Sequence, residues 1–462
     1  MKHIKIHQIL FFIFLFTIPF QTRVIFQSET AYINTVFNYH LGFILYLSDL
    51  VFLVAMLDWV LFDRPKMVSR LPTDSAFVAT SAKEAASAAT SGTLLHIIAF
   101  FSLILLTLFH VKHIELGWYN ALKWLEMLVL LIYCSIVFKE LKMFHVTLWI
   151  LFISGVFQAI IGIWQFHVQH GLSLGFLGEY VSPIGTEGLA TISYGLEKLI
   201  RAYGTMPHPN VLAGFLIVSL IAGYYLISGE TFRETYAKII VSCATILIIL
   251  GLFFSFSRVS WLIAALVTLS FLWFHLKQKG WSKLKAVVIV TLISLAIVII
   301  GYKDLAFSRA SESLTNNSVT LRQTYNEMGI ELIKKYPVLG VGVGHYIPAL
   351  RDFYNLEDWQ YQPAHNIYIF LAAELGILGL GLFLVIIGKI LKLGWTTKNP
   401  AFAEASADKQ LLTFSLLLAV GSFLLIGLFD HYPLTIQQTR LTFFLLLGML
   451  MAAAKLDLER LA

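Results

Sequence analysis

The sequence predicts an all-α polytopic membrane protein, and two observations carry that prediction. Of the 462 residues, 58% are hydrophobic and only 13% are charged, and the mean hydropathy is +0.78. A soluble protein of this composition would lack the polar surface needed to cover itself. Apolar runs of roughly 20 residues, the length that crosses a bilayer as a helix, also recur along the chain. The alternating pattern of outer-membrane strands is missing.

About twelve membrane spans can be placed on these apolar runs. The first opens the chain, and we expect it to be retained because no small-residue cleavage site follows it. The expected spans are 8–24, 40–62, 94–110, 118–138, 143–168, 210–228, 237–256, 259–276, 285–302, 366–390, 410–429 and 436–454.

Positive charge predicts the orientation of these spans. Lysine and arginine concentrate in every second connection, for example at Lys139 and Lys142, and are sparse in the connections between. The positive-inside rule then predicts that both termini are cytoplasmic. The Ala/Ser/Thr-rich stretch 73–93, part of a cytoplasmic linker near 64–93, is expected to be flexible and without chemistry.

Two connections on the predicted outer side are long, at about 169–209 and 303–365, which is typical of functional segments. In the second, four apolar residues recur at helical spacing and predict an amphipathic helix over about 319–335. We expect this helix to lie on the membrane surface or to cover a cavity. The four residues are Leu321, Tyr325, Met328 and Leu332.

The first candidate site is the stretch RAYGTMPHPN, which begins at Arg201 and leads into the sixth span. Arg201 offers a planar fork of donors suited to phosphate oxygens. His208 lies between two prolines that confine the backbone, and Asn210 can cap the helix that follows. A rigid loop with a snorkelling arginine explains the spacing equally well.

Two further arginines fall on the predicted outer side. Arg258 lies in the tight turn SFSRVSW between two spans, and Arg322 lies near the start of the expected amphipathic helix. Arg258 lies on the side where the positive-inside rule does not call for charge. Snorkelling to the interface remains the simpler explanation of this arginine taken alone.

Three alternating glycines, Gly340, Gly342 and Gly344, follow Pro337 in the second long connection. Successive glycines let backbone N–H groups approach an anion closely. No Lys-Ser/Thr pair follows the last glycine, so the pattern is not a nucleotide-binding P-loop. A tight turn explains the glycines nearly as well as an anion site does.

A histidine and an asparagine, His365 and Asn366, open the tenth span, and Glu374 follows about two turns later. Ionisable groups at such positions indicate a functional site, and a histidine can act as a base near neutral pH. A helix-start histidine bonded to backbone, with Asn366 as the cap and Glu374 as a buried structural partner, is the alternative. We predict no metal site, because His208, His345, His365 and His431 lack short ligand spacing.

Topology brings the strongest candidates to one side of the membrane. Arg201, Arg258, Arg322 and His365 come from four separate regions, yet all fall on the predicted extracytoplasmic side. Several guanidinium groups beside a candidate base describe a site for a phosphate-bearing substrate and a hydroxyl to be activated.

Three stretches of the chain resemble the motifs of the O-antigen ligase and polymerase superfamily, in the same order, over about residues 200–385. They are RAYGTMPHPNVLAGFL, FSFSRVSWLIAAL, and YPVLGVGVGHY with the later HNIYIFLAAELGILGLGLFL. The resemblance implies a GT-C-like fold with a core at 201–395 that includes the loop 303–365. Transmembrane helices at 1–200 and 396–462 would flank that core.

The resemblance also implies an activity. It is that of a metal-independent, inverting glycosyltransferase without a cofactor, on the outer face of the bacterial cytoplasmic membrane. The donor would be a glycan on undecaprenyl diphosphate. His365 would be the general base, and Arg201 with either Arg258 or Arg322 would neutralise the diphosphate. The supporting residues would be His208, Asn210, Gly340, Gly342, Gly344, Asn366 and Glu374.

Several functions stay open within and beyond this family. A ligase would use a lipid A–core sugar or another surface glycan as the acceptor. A polymerase would use a lipid-linked repeat, and a protein O-oligosaccharyltransferase would use a protein hydroxyl. A transporter or a flippase of lipid-linked glycans would place polar groups near the membrane midplane. Glu374 is the main charge there, so the polar weight at the outer interface favours surface chemistry. Nothing in the charge balance indicates a nucleic-acid partner.

Overall fold

The computed structural model describes residues 5–26, 31–34, 36–62, 81–181, 183–186, 188–229, 235–311, 317–396, 407–454 and 456. Within them lie fifteen α-helices. They are α1 Ile6–Thr17, α2 Leu47–Phe62, α3 Ser81–Thr107, α4 Ile114–Val137, α5 Leu141–Val168, α6 Pro209–Ser228, α7 Thr235–Phe254, α8 Arg258–Lys277, α9 Trp281–Ser311, α10 Asn317–Lys335, α11 Tyr346–Phe353, α12 Ile367–Thr396, α13 Ala407–Ile426, α14 Tyr432–Thr435 and α15 Gln437–Ala453.

The all-α polytopic architecture expected from the sequence is confirmed, and a helix lies at each of the twelve expected spans. Eight helices among the described residues are long and apolar enough to cross a membrane: α4 to α9, α12 and α13. At the other four spans the helices are shorter. The apolar part of α3 is Gly92–Thr107, and α1, α2 and α15 have 12, 16 and 17 residues.

Three short antiparallel strand pairs were not expected from the sequence. β1 (Arg23–Phe26) pairs with β4 (Phe43–Tyr46), so two segments assigned to the ends of the first two spans are extended. α1 stops at Thr17 because Pro19 cannot continue its hydrogen bonds. The other pairs are β2 (Tyr32–Ile33) with β3 (Val36–Phe37), and β5 (Thr191–Tyr194) with β6 (Glu197–Ile200).

Two expected connections also differ in extent from the structure. Residues 73–80 of the expected linker lie outside the described residues, but residues from 81 onward are helical in α3. The alanines there favour a helix over an irregular linker. The outer connection expected from residue 303 begins later, because α9 continues to Ser311.

The core of the bundle is built around α6. Every residue of α6 is buried, and α5, α7, α8, α13 and α15 pack around it. The sequence of α6 is apolar on all faces, and such a helix is stable only where other helices surround it. Its N-terminus is the RAYGTMPHPN stretch, so the first candidate site is anchored to the most buried helix of the fold.

The amphipathic helix α10 covers the segment predicted for it and packs against α12. Of its predicted apolar face, Tyr325, Met328 and Leu332 are buried and Leu321 is partly buried. Together with α11 these residues form a small second core outside the main bundle. α10 therefore covers the end of α12 at which His365 lies.

A break in α12 holds the glycine-rich segment in place. Gly376 has φ +71° and ψ −179°, a conformation that essentially only glycine adopts. At this break Ile377 N–H donates to the Pro337 carbonyl at 2.9 Å, and Val341 N–H donates to the Ala373 carbonyl at 2.9 Å. A Cβ on Gly376 would lie 2.0 Å from the Val338 carbonyl oxygen, so no side chain fits there.

Candidate functional site

Four arginines line one cavity of about 340 Å³, which we call the arginine cavity. The first residues of α6 and of α8 form part of its wall, and the N-terminus of a helix carries a partial positive charge that attracts anions. The charged and polar lining residues are Thr191, Arg201, His208, Asn210, Ser257, Arg258, Arg309, Arg322, Asp430 and Tyr432. Because Asp430 is the one carboxylate among these lining residues, the cavity is suited to a multiply charged anion.

A chain of hydrogen bonds links the first motif to the carboxylate of the cavity. Buried Arg201 donates through Nη2 to Asn210 Oδ1 at 2.8 Å and through Nε to the Ser255 carbonyl at 2.7 Å. Asn210 in turn donates through Nδ2 to Asp430 Oδ2 at 3.0 Å. The same Asp430 oxygen lies 3.6 Å from Arg322 Nη2. Asp430 therefore joins the N-terminus of α6 to α10.

His208 caps α6 from within the same motif. Its Nδ1 accepts a hydrogen bond from the Asn210 backbone N–H at 3.1 Å. Burial and the nearby Arg201 lower the pKa of His208 to about 3. This ring is therefore neutral and already used as a hydrogen-bond acceptor in the cap, so its role is to position Asn210.

Arg258 and Arg309 complete the basic wall of the arginine cavity. Arg258 is the first residue of α8 and is partly buried. Arg309, in the last turn of α9, donates through Nε to the Phe256 carbonyl at 3.0 Å. The structure brings Arg201, Arg258 and Arg322 together, so it does not require a choice between the last two.

His365 lies beside this cavity, just before the first turn of α12. Its ring stacks on Tyr325 at 5.5 Å and meets the ring of His431 edge-on at 4.9 Å. His365 Nδ1 lies 3.2 Å from the Pro363 carbonyl oxygen, which can only accept, so Nδ1 carries the proton. The lone pair of the neutral ring is therefore on Nε2.

The N-cap of α12 fixes this histidine. Asn366 Oδ1 accepts from the N–H groups of Tyr368 and Ile369 at 2.9 and 3.1 Å, the usual geometry of a helix cap. Its Nδ2 donates to the Leu428 carbonyl at 3.2 Å, which ties α12 to the loop that carries Asp430. His365 therefore bonds to backbone and Asn366 caps the helix, as the structural alternative expects. Neither interaction uses Nε2 of His365, so this nitrogen can accept a proton.

The electrostatics of the site hold His365 neutral and Asp430 ionised. Removal from water lowers the pKa of His365, Arg322 adds to this effect, and Asp430 opposes it. Burial alone would raise the pKa of Asp430, but His365 and Arg322 hold it well below its usual range. A neutral imidazole beside a carboxylate can accept a proton and be stabilised once it has done so.

Among the described residues, the one group placed to hold a metal ion is His365, Asp430 and His431, whose ligand atoms lie within 4.8 Å of one another. Asp430 Oδ2 already accepts from Asn210 and lies near the Arg322 guanidinium, which disfavours a cation at this carboxylate. His345 lies elsewhere, where its Nε2 accepts from the His113 backbone N–H at 3.0 Å. The four histidines considered from the sequence are therefore not one site.

The three glycines lie against the break in α12 and do not line the arginine cavity. Gly340, Gly342 and Gly344 all have positive φ, between +68° and +97°. Gly340 N–H donates to the Tyr336 carbonyl at 3.1 Å and Gly342 N–H to the Glu374 carbonyl at 2.9 Å. Because these two N–H groups already have partners, the geometry favours a tight turn over phosphate binding.

Glu374 does not line the arginine cavity. Its buried carboxylate faces the backbone N–H groups of Gly344 and Tyr346 and lines a different, smaller cavity. The sequence grouped Glu374 with His365 because both belong to one span, but two helical turns separate them. It therefore supports the glycine turn and does not contact the arginine cavity.

Sequence reasoning left Arg309 and Asp430 out of the site. Asp430 and His431 follow the eleventh expected span, but nothing in a single sequence indicates that this loop reaches α6 and α10. Arg309 falls within the connection 303–365, which the sequence predicts to be on the outer side. Its charge in that connection is a signal that could have found it.

Comparisons with known proteins agree with the motifs. The model of the O-antigen ligase family matches residues 243–384, which include Arg258, Arg309, Arg322 and His365. No curated protein matches the sequence. A chain in the solved structure “Structural coordination of polymerization and crosslinking by a peptidoglycan synthase complex” is 12% identical, with a TM-score of 0.38. The match covers 79% of this chain and 97% of that chain.

Proposed function

We propose that this protein transfers a glycan from undecaprenyl diphosphate to an acceptor hydroxyl at the extracytoplasmic face of the membrane. The match of residues 243–384 to the model of the O-antigen ligase family supports this proposal. The observation that carries this proposal is the arginine cavity with a neutral histidine beside it. Diphosphate needs several positive groups, and an acceptor hydroxyl needs a base. The charge distribution of the loops supports this orientation, with both termini cytoplasmic.

In the proposed reaction the diphosphate of the donor lies among the four arginines of the arginine cavity, including Arg201, and close to the N-terminus of α8. The acceptor oxygen attacks the anomeric carbon, and the bond from that carbon to the diphosphate oxygen breaks. The hydroxyl proton passes to His365 Nε2. In-line attack inverts the anomeric configuration, and the guanidinium groups stabilise the negative charge that grows on the leaving group.

Asp430 has a positioning role in this proposal. It lies within 4.8 Å of the ligand nitrogen of His365 and is held by Asn210. Its carboxylate stabilises the imidazolium that forms when His365 takes the proton. We propose that the chain is divided into the segments 1–200, 201–395 and 396–462, and that Asp430 is the contribution of the last segment to the site.

Transfer in vitro is the test of this function. The purified full-length protein, mixed with an undecaprenyl-diphosphate-linked glycan and a panel of glycolipid, lipid-linked repeat and peptide acceptors, is expected to glycosylate one of them and release undecaprenyl diphosphate. Arg258→Gln should raise the KM for the donor about 10- to 100-fold, since one charge-assisted hydrogen bond is lost. Exposed Arg351 supplies the matched control, Arg351→Gln.

The product identifies the branch of the family. Growth of lipid-linked chains from single repeats would identify a polymerase, and single transfer to a glycolipid or a peptide would identify a ligase or a protein transferase. Passage of the lipid-linked glycan across a vesicle bilayer, without transfer to any acceptor, would overturn the proposal in favour of a flippase.

The pH dependence of transfer is expected to follow His365. As the pH falls through its pKa the ring becomes protonated and can no longer accept a proton, so transfer is lost on the acid side. Burial and Arg322 place that pKa below 6.5, and the acid limb should therefore lie below pH 6.5. Asp430→Asn removes the interaction that raises this pKa, so the limb should move to still lower pH. Initial transfer rates measured across the acid pH range locate this limb. If the acid limb of Asp430→Asn lies at the same pH as that of the wild type, Asp430 does not raise the pKa of His365.

A further inference from the structure

A second cavity, of about 70 Å³, lies next to His40, and we call it the polar cavity. It shares no lining residue with the arginine cavity. His40 lines it, the His40 ring contacts His431 at 5.6 Å, and the His431 ring contacts His365 at 4.9 Å. The candidate base is therefore connected to the polar cavity through the rings of His431 and His40.

The polar cavity is lined by a buried acidic residue and a buried basic residue. Glu374 and Arg440 are 5% and 7% exposed, and each lines the cavity. Arg440 donates through Nη2 to Gln437 Oε1 at 3.0 Å, but within the described part of the chain its buried Nε has no hydrogen-bond partner. A buried donor without a partner is costly. A polar ligand in the cavity would supply that partner.

The lining also contains the aromatic and amide groups that suit a ring bearing hydroxyls. Its further polar and aromatic members are Tyr39, Tyr46, Tyr119, Asn120, Trp124, Tyr346, Phe370, Thr435 and Gln437. One guanidinium beside an acidic side chain and several phenols is too little positive charge for phosphate, and the polar wall disfavours an acyl chain. At ~10–15 Å³ for each water centre, the volume accommodates about five waters, comparable to one sugar ring.

We propose that the polar cavity binds one sugar ring of the acceptor, whereas the arginine cavity binds the diphosphate of the donor. This assignment rests on the proposed function. In-line displacement requires the acceptor and the leaving group on opposite faces of the anomeric carbon, and separate sites for the two substrates near His365 are compatible with that requirement. Pro363, whose carbonyl orients His365, is itself part of the polar cavity wall.

Free monosaccharides test this site without requiring turnover. Saturation-transfer NMR on the full-length protein in detergent, with glucose, galactose, N-acetylglucosamine and rhamnose as probes, is expected to detect binding of at least one sugar. Asn120→Ala and Glu374→Gln should each weaken binding about three- to tenfold, from the loss of one hydrogen bond. Asn120 is partly exposed, and its Nδ2 donates to the Leu116 carbonyl within α4.

The arginine cavity provides the matched control. Arg258→Gln should leave sugar binding unchanged and weaken binding of inorganic pyrophosphate. Asn120→Ala should weaken sugar binding and bind pyrophosphate as tightly as wild type does, and this retained binding shows that the variant is folded. If no sugar binds, or if sugar binds Asn120→Ala and Glu374→Gln as tightly as wild type, the cavity holds structural water and the inference is wrong. If both variants transfer glycan with an unchanged KM for the acceptor, the sugar site is rejected and the proposed function stands. If sugar binds but no glycan is transferred to any acceptor, the proposed function is rejected and the sugar site stands.

Discussion

His365→Gln is expected to reduce glycan transfer about 10²- to 10⁴-fold, the usual contribution of a general base. Glutamine can still donate a hydrogen bond to the Pro363 carbonyl, but its amide nitrogen cannot take a proton from the acceptor. Donor binding should persist because the arginine cavity is intact. The loss should therefore fall on kcat, with the KM for the donor within a few-fold of wild type.

The control for this variant is His170→Gln, because His170 is exposed and lines neither cavity. Melting temperature and detergent extraction should match wild type for both variants, so that a folding defect is excluded. Transfer by His365→Gln at the normal rate would eliminate His365 as the base. His431, whose ring lies against that of His365, would then be the next residue to replace.

The sequence was sufficient to predict the helices because lipid imposes a simple rule of length and apolarity. The sequence prediction is wrong where structure depends on contacts that this rule does not describe. The strand pair Arg23–Phe26 with Phe43–Tyr46 is apolar enough to extend two predicted spans, yet it pairs across the chain. Cross-strand pairing depends on contacts between distant segments, which periodicity within one segment does not report.

The site was predictable in part for a related reason. Arg201, Arg258, Arg322 and His365 belong to motifs that can be seen locally. Asp430 acquires its role only through Asn210 and Arg322, partners 220 residues away in one case. The glycines show a second limit, because their spacing is compatible with an anion site and with a tight turn. The bonds from Gly340 N–H to the Tyr336 carbonyl and from Gly342 N–H to the Glu374 carbonyl appear only in the folded chain.

Arg201→Lys is expected to reduce transfer about 10²- to 10³-fold, comparable to the loss of one preorganised charge-stabilising group. The guanidinium donates in two directions at once, to the Ser255 carbonyl and to Asn210 Oδ1. A lysine ammonium is a point charge on a flexible stem and cannot reproduce that planar fork. The positive charge would remain in the cavity, so a large effect would show that geometry matters more than charge at this position.

The structural route by which Arg201 acts makes this prediction separable from a plain loss of charge. When Asn210 loses the Arg201 bond, it no longer holds Asp430 Oδ2 at 3.0 Å, and the carboxylate is free to move away from His365. Arg201→Lys should therefore shift the acid limb of transfer to lower pH, in the same direction as Asp430→Asn, because the interaction that raises the pKa of His365 is weakened. Exposed Arg351→Lys should change neither rate nor pH profile. If Arg201→Lys lowers the melting temperature but leaves the rate per folded molecule and the acid limb unchanged, Arg201 only holds the loop before α6, and the diphosphate must be bound by Arg258, Arg309 and Arg322 without it.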